Sequence, residues 1–91
     1  MAEEKILTKR PLGKSGKNIK KQDYETVKEA IISNLRNKEL THAELLSQVN
    51  LSLKDKFSGN ISWYAETVKL DLEARNIIER TDTKPQKYRL R

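Results

Sequence analysis

The chain of 91 residues has no cysteine and only one histidine, His42. The absence of cysteine excludes disulfides, thiolate metal sites and cysteine nucleophiles, and it fits a reducing compartment. A lone histidine has no second histidine or cysteine with which to hold a metal or form a catalytic relay. We therefore predict a protein that is not an enzyme and that needs no metal or cofactor.

Long apolar runs are absent as well. No run approaches the roughly 18 residues that a membrane span requires, and the first residues lack the apolar centre of a signal peptide. The chain is long enough for one small core and no more. These absences predict a single cytoplasmic protein with no membrane contact and no evident small-molecule ligand.

Positive charge is plentiful but unevenly placed. The net charge is +6, to which residues 1–22 contribute +5, residues 23–80 contribute −2 and residues 81–91 contribute +3. Basic ends around a nearly neutral middle are typical of nucleic-acid binding. The alternative is that both ends are ordinary lysine-rich surface.

The first 22 residues combine one proline, two glycines and several lysines with few apolar side chains. Such a composition buries too little surface to order itself. We predict a flexible basic arm over residues 1–22, in which only Ile6 and Leu7 could dock as a strand. A winged-helix domain is predicted over residues 23–91.

Apolar spacing predicts two helices in the first half of this domain. The first covers residues 23–37, with Asp23 as its N-cap. The second starts at a capping box formed by Thr41 and Glu44. It either continues to about Lys56 or gives way earlier to a looser turn.

The stretch from Ser62 to Arg80 predicts a third, central helix that runs into a strand, and Asn60 or Ser62 is expected to cap the helix. One apolar stripe is placed to face the core: Ile61, Tyr64, Ala65, Val68 and Leu72. Asp71 and Arg75 are spaced as an acid-to-base pair on the helix surface.

A second stripe on the same helix holds Trp63, Leu70 and Ala74. Two interpretations of it stay open. The stripe packs under the second helix or the N-terminal segment, or it forms a surface for a protein partner or a second copy of the chain.

The chain ends in a predicted hairpin, with strands over residues 77–81 and 86–91 around a turn rich in Asp and Pro. The order of elements is that of a winged helix-turn-helix. The predicted fold class is therefore mainly α with a small β-hairpin: three helices plus a two- or three-stranded wing.

Base readout in a major groove favours Arg, Lys, Asn or Gln on the exposed helix face, whereas this face is predicted to show Glu66, Lys69 and Glu73. We therefore expect contacts mainly to the phosphate backbone, which makes binding salt-dependent. The predicted nucleic-acid-binding residues are Lys14, Lys17, Lys20, Lys21, Lys69, Arg80, Lys84, Lys87, Arg89 and Arg91.

Three features resemble a family of small bacterial proteins of uncharacterised function. They are the run Leu7-Thr8-Lys9-Arg10 followed by Gly13-Lys14, the pair Trp63-Tyr64, and the block from Val68 to Arg75. The resemblance covers nearly the whole chain and implies a winged-helix domain. It implies no activity and no site residues.

The sequence thus predicts a small protein that binds double-stranded DNA, in transcription regulation or a related process. The alternative is a protein-interaction or homodimerisation module that uses Trp63 and Leu70.

Overall fold

The computed structural model describes residues 5–9, 15–57 and 59–91. These ranges contain three helices and five strands. In chain order they are β1 (Lys5–Lys9), β2 (Ser15–Lys20), α1 (Lys21–Leu35), β3 (Leu40–Thr41), α2 (His42–Leu53), α3 (Ile61–Ala74), β4 (Ile78–Arg80) and β5 (Lys87–Leu90). Among the described residues, no helix is long and apolar enough to cross a membrane.

The three helices pack against one another, and a three-stranded antiparallel sheet closes one side. The strand order is β3-β5-β4, with Leu40 opposite Tyr88 and Ile78 opposite Leu90. Tyr88 and Ile78 are buried among the helices. The arrangement confirms the predicted fold class, with the wing in its three-stranded form.

Helix α1 begins two residues before its predicted start. Lys20 precedes it as the capping residue without a side-chain cap, so the prediction of Asp23 as the N-cap is wrong. Strand β2 runs directly into the helix, which therefore starts as soon as the strand ends. Asp23 lies instead in the first turn, where its negative charge interacts favourably with the positive end of the helix dipole.

The capping box that begins α2 is confirmed. The Thr41 hydroxyl accepts from the Glu44 backbone N–H at 3.2 Å, and the Glu44 carboxylate accepts from the Thr41 backbone N–H at 2.9 Å. The helix ends at Leu53, and the Lys56 N–H returns to the Leu53 carbonyl at 2.9 Å. Of the two alternatives for the end of this helix, the looser turn is the correct one.

Helix α3 follows an asparagine cap, and a second asparagine lies just beyond its C-terminal end. Asn60 Oδ1 accepts from the Trp63 backbone N–H at 3.1 Å. At the other end Asn76 has a φ of 63°, and the N–H of Ile77 reaches the Leu72 carbonyl at 2.9 Å. This is a Schellman termination, which asparagine tolerates better than most residues. The helix therefore stops at Ala74 and the chain turns at once into β4.

The predicted flexible arm differs from the structure wherever its residues are described. Strands β1 and β2 form an antiparallel hairpin that packs on α1 and α3. Ile19 and Thr8 are buried and Ile6 is partly buried, because alternation along both strands turns them to one face. The Thr8 hydroxyl donates to the Lys17 carbonyl at 2.9 Å and accepts from the Lys17 N–H at 2.8 Å.

Candidate nucleic-acid interface

The outer face of the wing carries a ladder of ion pairs. Arg89 on β5 donates to Glu79 on β4 at 2.7 Å and to Glu39, just before β3, at 3.2 Å. These hydrogen bonds, to Glu79 first, raise the pKa of the Arg89 guanidinium above its ordinary value. Arg91 donates to the Asn76 side chain at 2.9 Å and lies 3.8 Å from Glu79. The two predicted phosphate-binding arginines of the last strand are therefore matched by carboxylates of their own sheet.

Arg80 is paired in the same way. Its guanidinium donates to Glu73 of α3 at 2.6 and 3.3 Å and lies 5.6 Å from the ring centre of Tyr88. The hydrogen bond to Glu73 is the main cause that raises the pKa of Arg80. An exposed ion pair contributes only about 0–1 kcal/mol to stability. A phosphate could therefore displace Glu73 from this guanidinium, but it would have to compete with that carboxylate.

Lys69 is not on the surface, and its placement on the exposed face of α3 is wrong. The side chain is 3% exposed, its Nζ donates to the Tyr88 hydroxyl at 2.9 Å, and Nζ lies 4.1 Å from the centre of that ring. Positions 65, 69 and 72 are spaced four and three apart, and Ala65 and Leu72 are both core residues. That spacing was the signal that Lys69 faces inward.

The two lysines at the wing turn differ from the wing arginines. Lys84 is exposed and, within the described ranges, forms no ion pair, while Lys87 is half-buried. Lys87 is close enough to Glu44 to contribute to lowering the pKa of that carboxyl, after the hydrogen bonds from Thr41. The turn itself is held by Thr81, whose hydroxyl accepts from the Lys87 N–H at 3.0 Å.

The accessible side of α3 holds no cation. Ser62, Trp63 and Glu66 are exposed in its first turns, and Leu70 and Ala74 are half-buried further on. The Trp63 side chain is 41% exposed and meets Tyr64 edge to face, with ring centres 5.0 Å apart. The helix that a winged domain normally offers to a major groove therefore presents an acidic and apolar surface here.

The predicted pair of Asp71 and Arg75 is confirmed, at 2.9 Å, but only its arginine is at the surface. Asp71 is fully buried and also accepts a short hydrogen bond from the Tyr24 hydroxyl of α1. Burial, and then the hydrogen bond to Asp71, raise the pKa of Tyr24. No sequence pattern indicated this link between α1 and α3.

The N-terminal hairpin has a face turned away from the helices, which we call the outer hairpin face. Lys5 lies opposite Lys20 and Leu7 lies opposite Asn18, and all four residues are exposed. Lys17 on β2 is exposed too, but the alternation along the strand does not place it on this face. Of the other arm lysines predicted to bind nucleic acid, Lys21 is an exposed first residue of α1, and Lys14 lies outside the described residues.

Lys17 and Lys20 are both exposed residues of β2, and Lys21 follows in α1. Lys17 and Lys20 are three positions apart, so the alternation along the strand does not place them on the same face. The wing arginines lie together on the other sheet but are engaged with Glu39, Glu73 and Glu79. In the described part of the chain, no group of three or more His, Asp or Glu side chains could hold a metal ion.

Residues 5–88 match the model of a family described as a family of unknown function, DUF6958, and the chain belongs to that family. No curated protein and no solved structure matches the chain significantly.

Proposed function

We propose that this member of a family of unknown function binds double-stranded nucleic acid through its N-terminal hairpin, mainly by contacts to the phosphate backbone. One observation carries the proposal. Residues 5–22 contain seven Lys/Arg and no Asp/Glu, and the strands of this segment are held on the helical core by Ile19 and Thr8. The segment is therefore a concentrated positive charge on an ordered support.

The contrast with the wing supports this choice of element. Arg80, Arg89 and Arg91 lie within 4 Å of carboxylates of the same chain, whereas the hairpin sequence supplies no carboxylate of its own. Each phosphate that a lysine neutralises releases condensed counterions from the nucleic acid. Each of these wing arginines must first leave its carboxylate, so a phosphate contact there gains less than the full counterion release.

The first experiment is a titration of the full chain against a fluorescent 20-base-pair DNA duplex at low and moderate salt. We expect binding that weakens steeply with salt. The double variant Lys17→Gln with Lys20→Gln should lose about tenfold or more in affinity and should reduce the salt slope by about 2. No binding at low salt, or binding that salt does not change, overturns the proposal.

Two variants control for charge and for the choice of element. Lys54→Gln with Lys56→Gln makes the same change in net charge at exposed positions beyond α2, and it should reduce affinity far less. Arg89→Gln should also have a smaller effect than the hairpin pair, because Arg89 is already engaged with Glu79 and Glu39. A larger loss of affinity for Arg89→Gln than for the hairpin pair would mean that the interface lies on the wing. A regulatory role in transcription would follow only if such binding were directed to particular sites.

A second candidate function is a protein contact through α3, where Trp63 is 41% exposed beside Glu66 and no cation is accessible. Exposed tryptophan is enriched at the energetic centres of protein interfaces. Sedimentation of the full chain over a wide concentration range tests self-association, with Trp63→Ala expected to reverse it. Leu51→Ala is the control, since Leu51 is 60% exposed on α2. A monomer at every concentration with blue-shifted tryptophan emission counts against this candidate.

A further inference from the structure

The outer hairpin face places an apolar and an amide side chain directly opposite each other. Leu7 on β1 pairs in register with Asn18 on β2, and Leu7 is 57% exposed. The next pair on the same face is Lys5 opposite Lys20. The inward positions between them, Ile6 and Ile19, anchor the ribbon to the core.

This pattern matches what a B-DNA major groove presents at an A·T pair. The groove is wide enough for a two-stranded β-ribbon, adenine offers an acceptor and a donor to one carboxamide, and thymine offers a methyl group to an apolar side chain. Side chains directly opposite on an antiparallel pair lie about 5 Å apart at Cβ, so Asn18 and Leu7 can reach neighbouring base edges.

We propose that Asn18 and Leu7 read an A·T base pair in the major groove, with Lys5 and Lys20 on the flanking phosphates. The inference rests on the proposed nucleic-acid binding and adds the base preference and the residues that set it.

No comparable set exists on the accessible face of α3. Its lysine is buried against Tyr88, and the exposed charged residue in its first turns is Glu66. An isolated exposed leucine needs no explanation. Leu7 differs because an asparagine faces it across the ribbon and a pair of lysines occupies the next position on the same face, which together supply apolar, bidentate and electrostatic contacts to one ligand.

The experiment compares the affinity of the full chain for four 20-base-pair duplexes by fluorescence anisotropy. One has an A·T core and one a G·C core. In the third, deoxyuridine replaces thymidine and removes only the methyl group; in the fourth, 7-deazaadenine replaces adenine and removes only the N7 acceptor. We expect about tenfold preference for A·T over G·C, with part of that preference lost on each modified duplex.

Two variants assign each part of the preference. Leu7→Ala should bind the thymidine and deoxyuridine duplexes equally, and Asn18→Ala should bind the adenine and 7-deazaadenine duplexes equally. Leu51→Ala, at an equally exposed leucine of α2, should leave both differences intact. Circular dichroism checks folding, and since both side chains are exposed their removal should not change it.

The failures are distinguishable. Absence of binding to every duplex at low salt overturns the proposed function and this inference together. Salt-sensitive binding with equal affinity for A·T and G·C cores overturns this inference alone. A preference for A·T that neither base modification changes also overturns it, because that result means readout of the minor groove or of DNA shape.

Discussion

Nζ of Lys69 on α3 donates a 2.9 Å hydrogen bond to the hydroxyl of Tyr88 on β5 and lies 4.1 Å from the centre of the same ring. Both side chains are at least 95% buried. One tyrosine therefore supplies the acceptor and the ring face for a buried ammonium group, and the contact joins the central helix to the wing. The ion pair of Arg80 with Glu73 is a further side-chain link between α3 and the wing.

Removing either member of the pair should destabilise the fold, but unequally. Lys69→Met keeps the apolar stem and leaves the Tyr88 hydroxyl without its donor, which should cost about 1–3 kcal/mol. Tyr88→Phe leaves the ammonium buried without an acceptor and should cost more, about 3–5 kcal/mol. Urea unfolding of both variants and of the double variant gives the comparison. A double variant as unstable as the sum of the two would contradict the coupling.

The same pair separates a structural role for Lys69 from a role in binding. Since Lys69 is 3% exposed, Lys69→Met should leave the affinity for duplex DNA unchanged at temperatures where the variant is folded. Lys17→Gln, at an exposed lysine of β2, should weaken binding without loss of stability. If Lys69→Met weakened DNA binding and Lys17→Gln did not, Lys69 would belong to the interface.

Asp71 should be the most sensitive polar position in the described part of the chain. It is fully buried, it accepts from Tyr24, and its two oxygens each lie 2.9 Å from Arg75 Nε. Asp71→Ala leaves a buried hydroxyl and a guanidinium without their acceptor, so we expect a loss of about 3–5 kcal/mol. Thermal unfolding measures it. Glu66→Ala, on the exposed side of the same helix, is the matched control and should change stability by less than about 0.5 kcal/mol.

Tyr24 should make the fold sensitive to alkali. Burial and the hydrogen bond to Asp71 raise its folded-state pKa above the ordinary value. The folded chain therefore keeps the phenol proton while the unfolded chain releases it above about pH 10, so stability falls as pH rises past that value. The slope of unfolding free energy against pH should be shallower in Tyr24→Phe. Equal slopes for the two proteins between pH 9 and 11 would contradict this link.

Whether a contact could be predicted from the sequence depends on how far apart its two residues are in the chain. Thr41 and Glu44 are three residues apart, and their capping box was readable because both partners lie in one turn. Arg89 lies 50 residues from Glu39, and that ion pair depends on the register of β3 and β5. The composition of the arm and the wing predicted basic surfaces, but it could not show that the wing arginines are already paired with carboxylates.

The predictions from sequence also failed where a charged side chain is buried. Lys69 and Asp71 are charged residues on a helix of mixed pattern, and placing both outside the core is the ordinary expectation. Their burial depends on Tyr88 and Tyr24, which come from elements distant in sequence and supply one hydroxyl each. The hairpin was missed for a related reason, because its inner face offers only a few side chains and gains order from contact with α1 and α3.

The capping box of α2 should be sensitive to acid through Glu44. Its pKa is lowered, first by the hydrogen bond from the Thr41 backbone and then by that from the Thr41 side chain. A carboxyl with a lowered folded-state pKa contributes stability above its unfolded pKa, about 4.3, and that contribution is lost as pH falls through the folded-state value. Glu44→Gln keeps an acceptor for the Thr41 N–H at every pH, so its stability should change less between pH 6 and pH 3.

The measurement is urea unfolding of the wild type, Glu44→Gln and Glu66→Gln across this pH range. Glu66→Gln makes the same chemical change on the exposed face of α3, outside any cap, so its difference from the wild type should stay nearly constant. The difference between the wild type and Glu44→Gln should instead move in favour of the variant as the solution becomes acidic. If both differences were flat, the Glu44 carboxylate would contribute nothing to the start of α2, and the cap would depend on the Thr41 hydroxyl alone, which accepts from the Glu44 N–H at 3.2 Å.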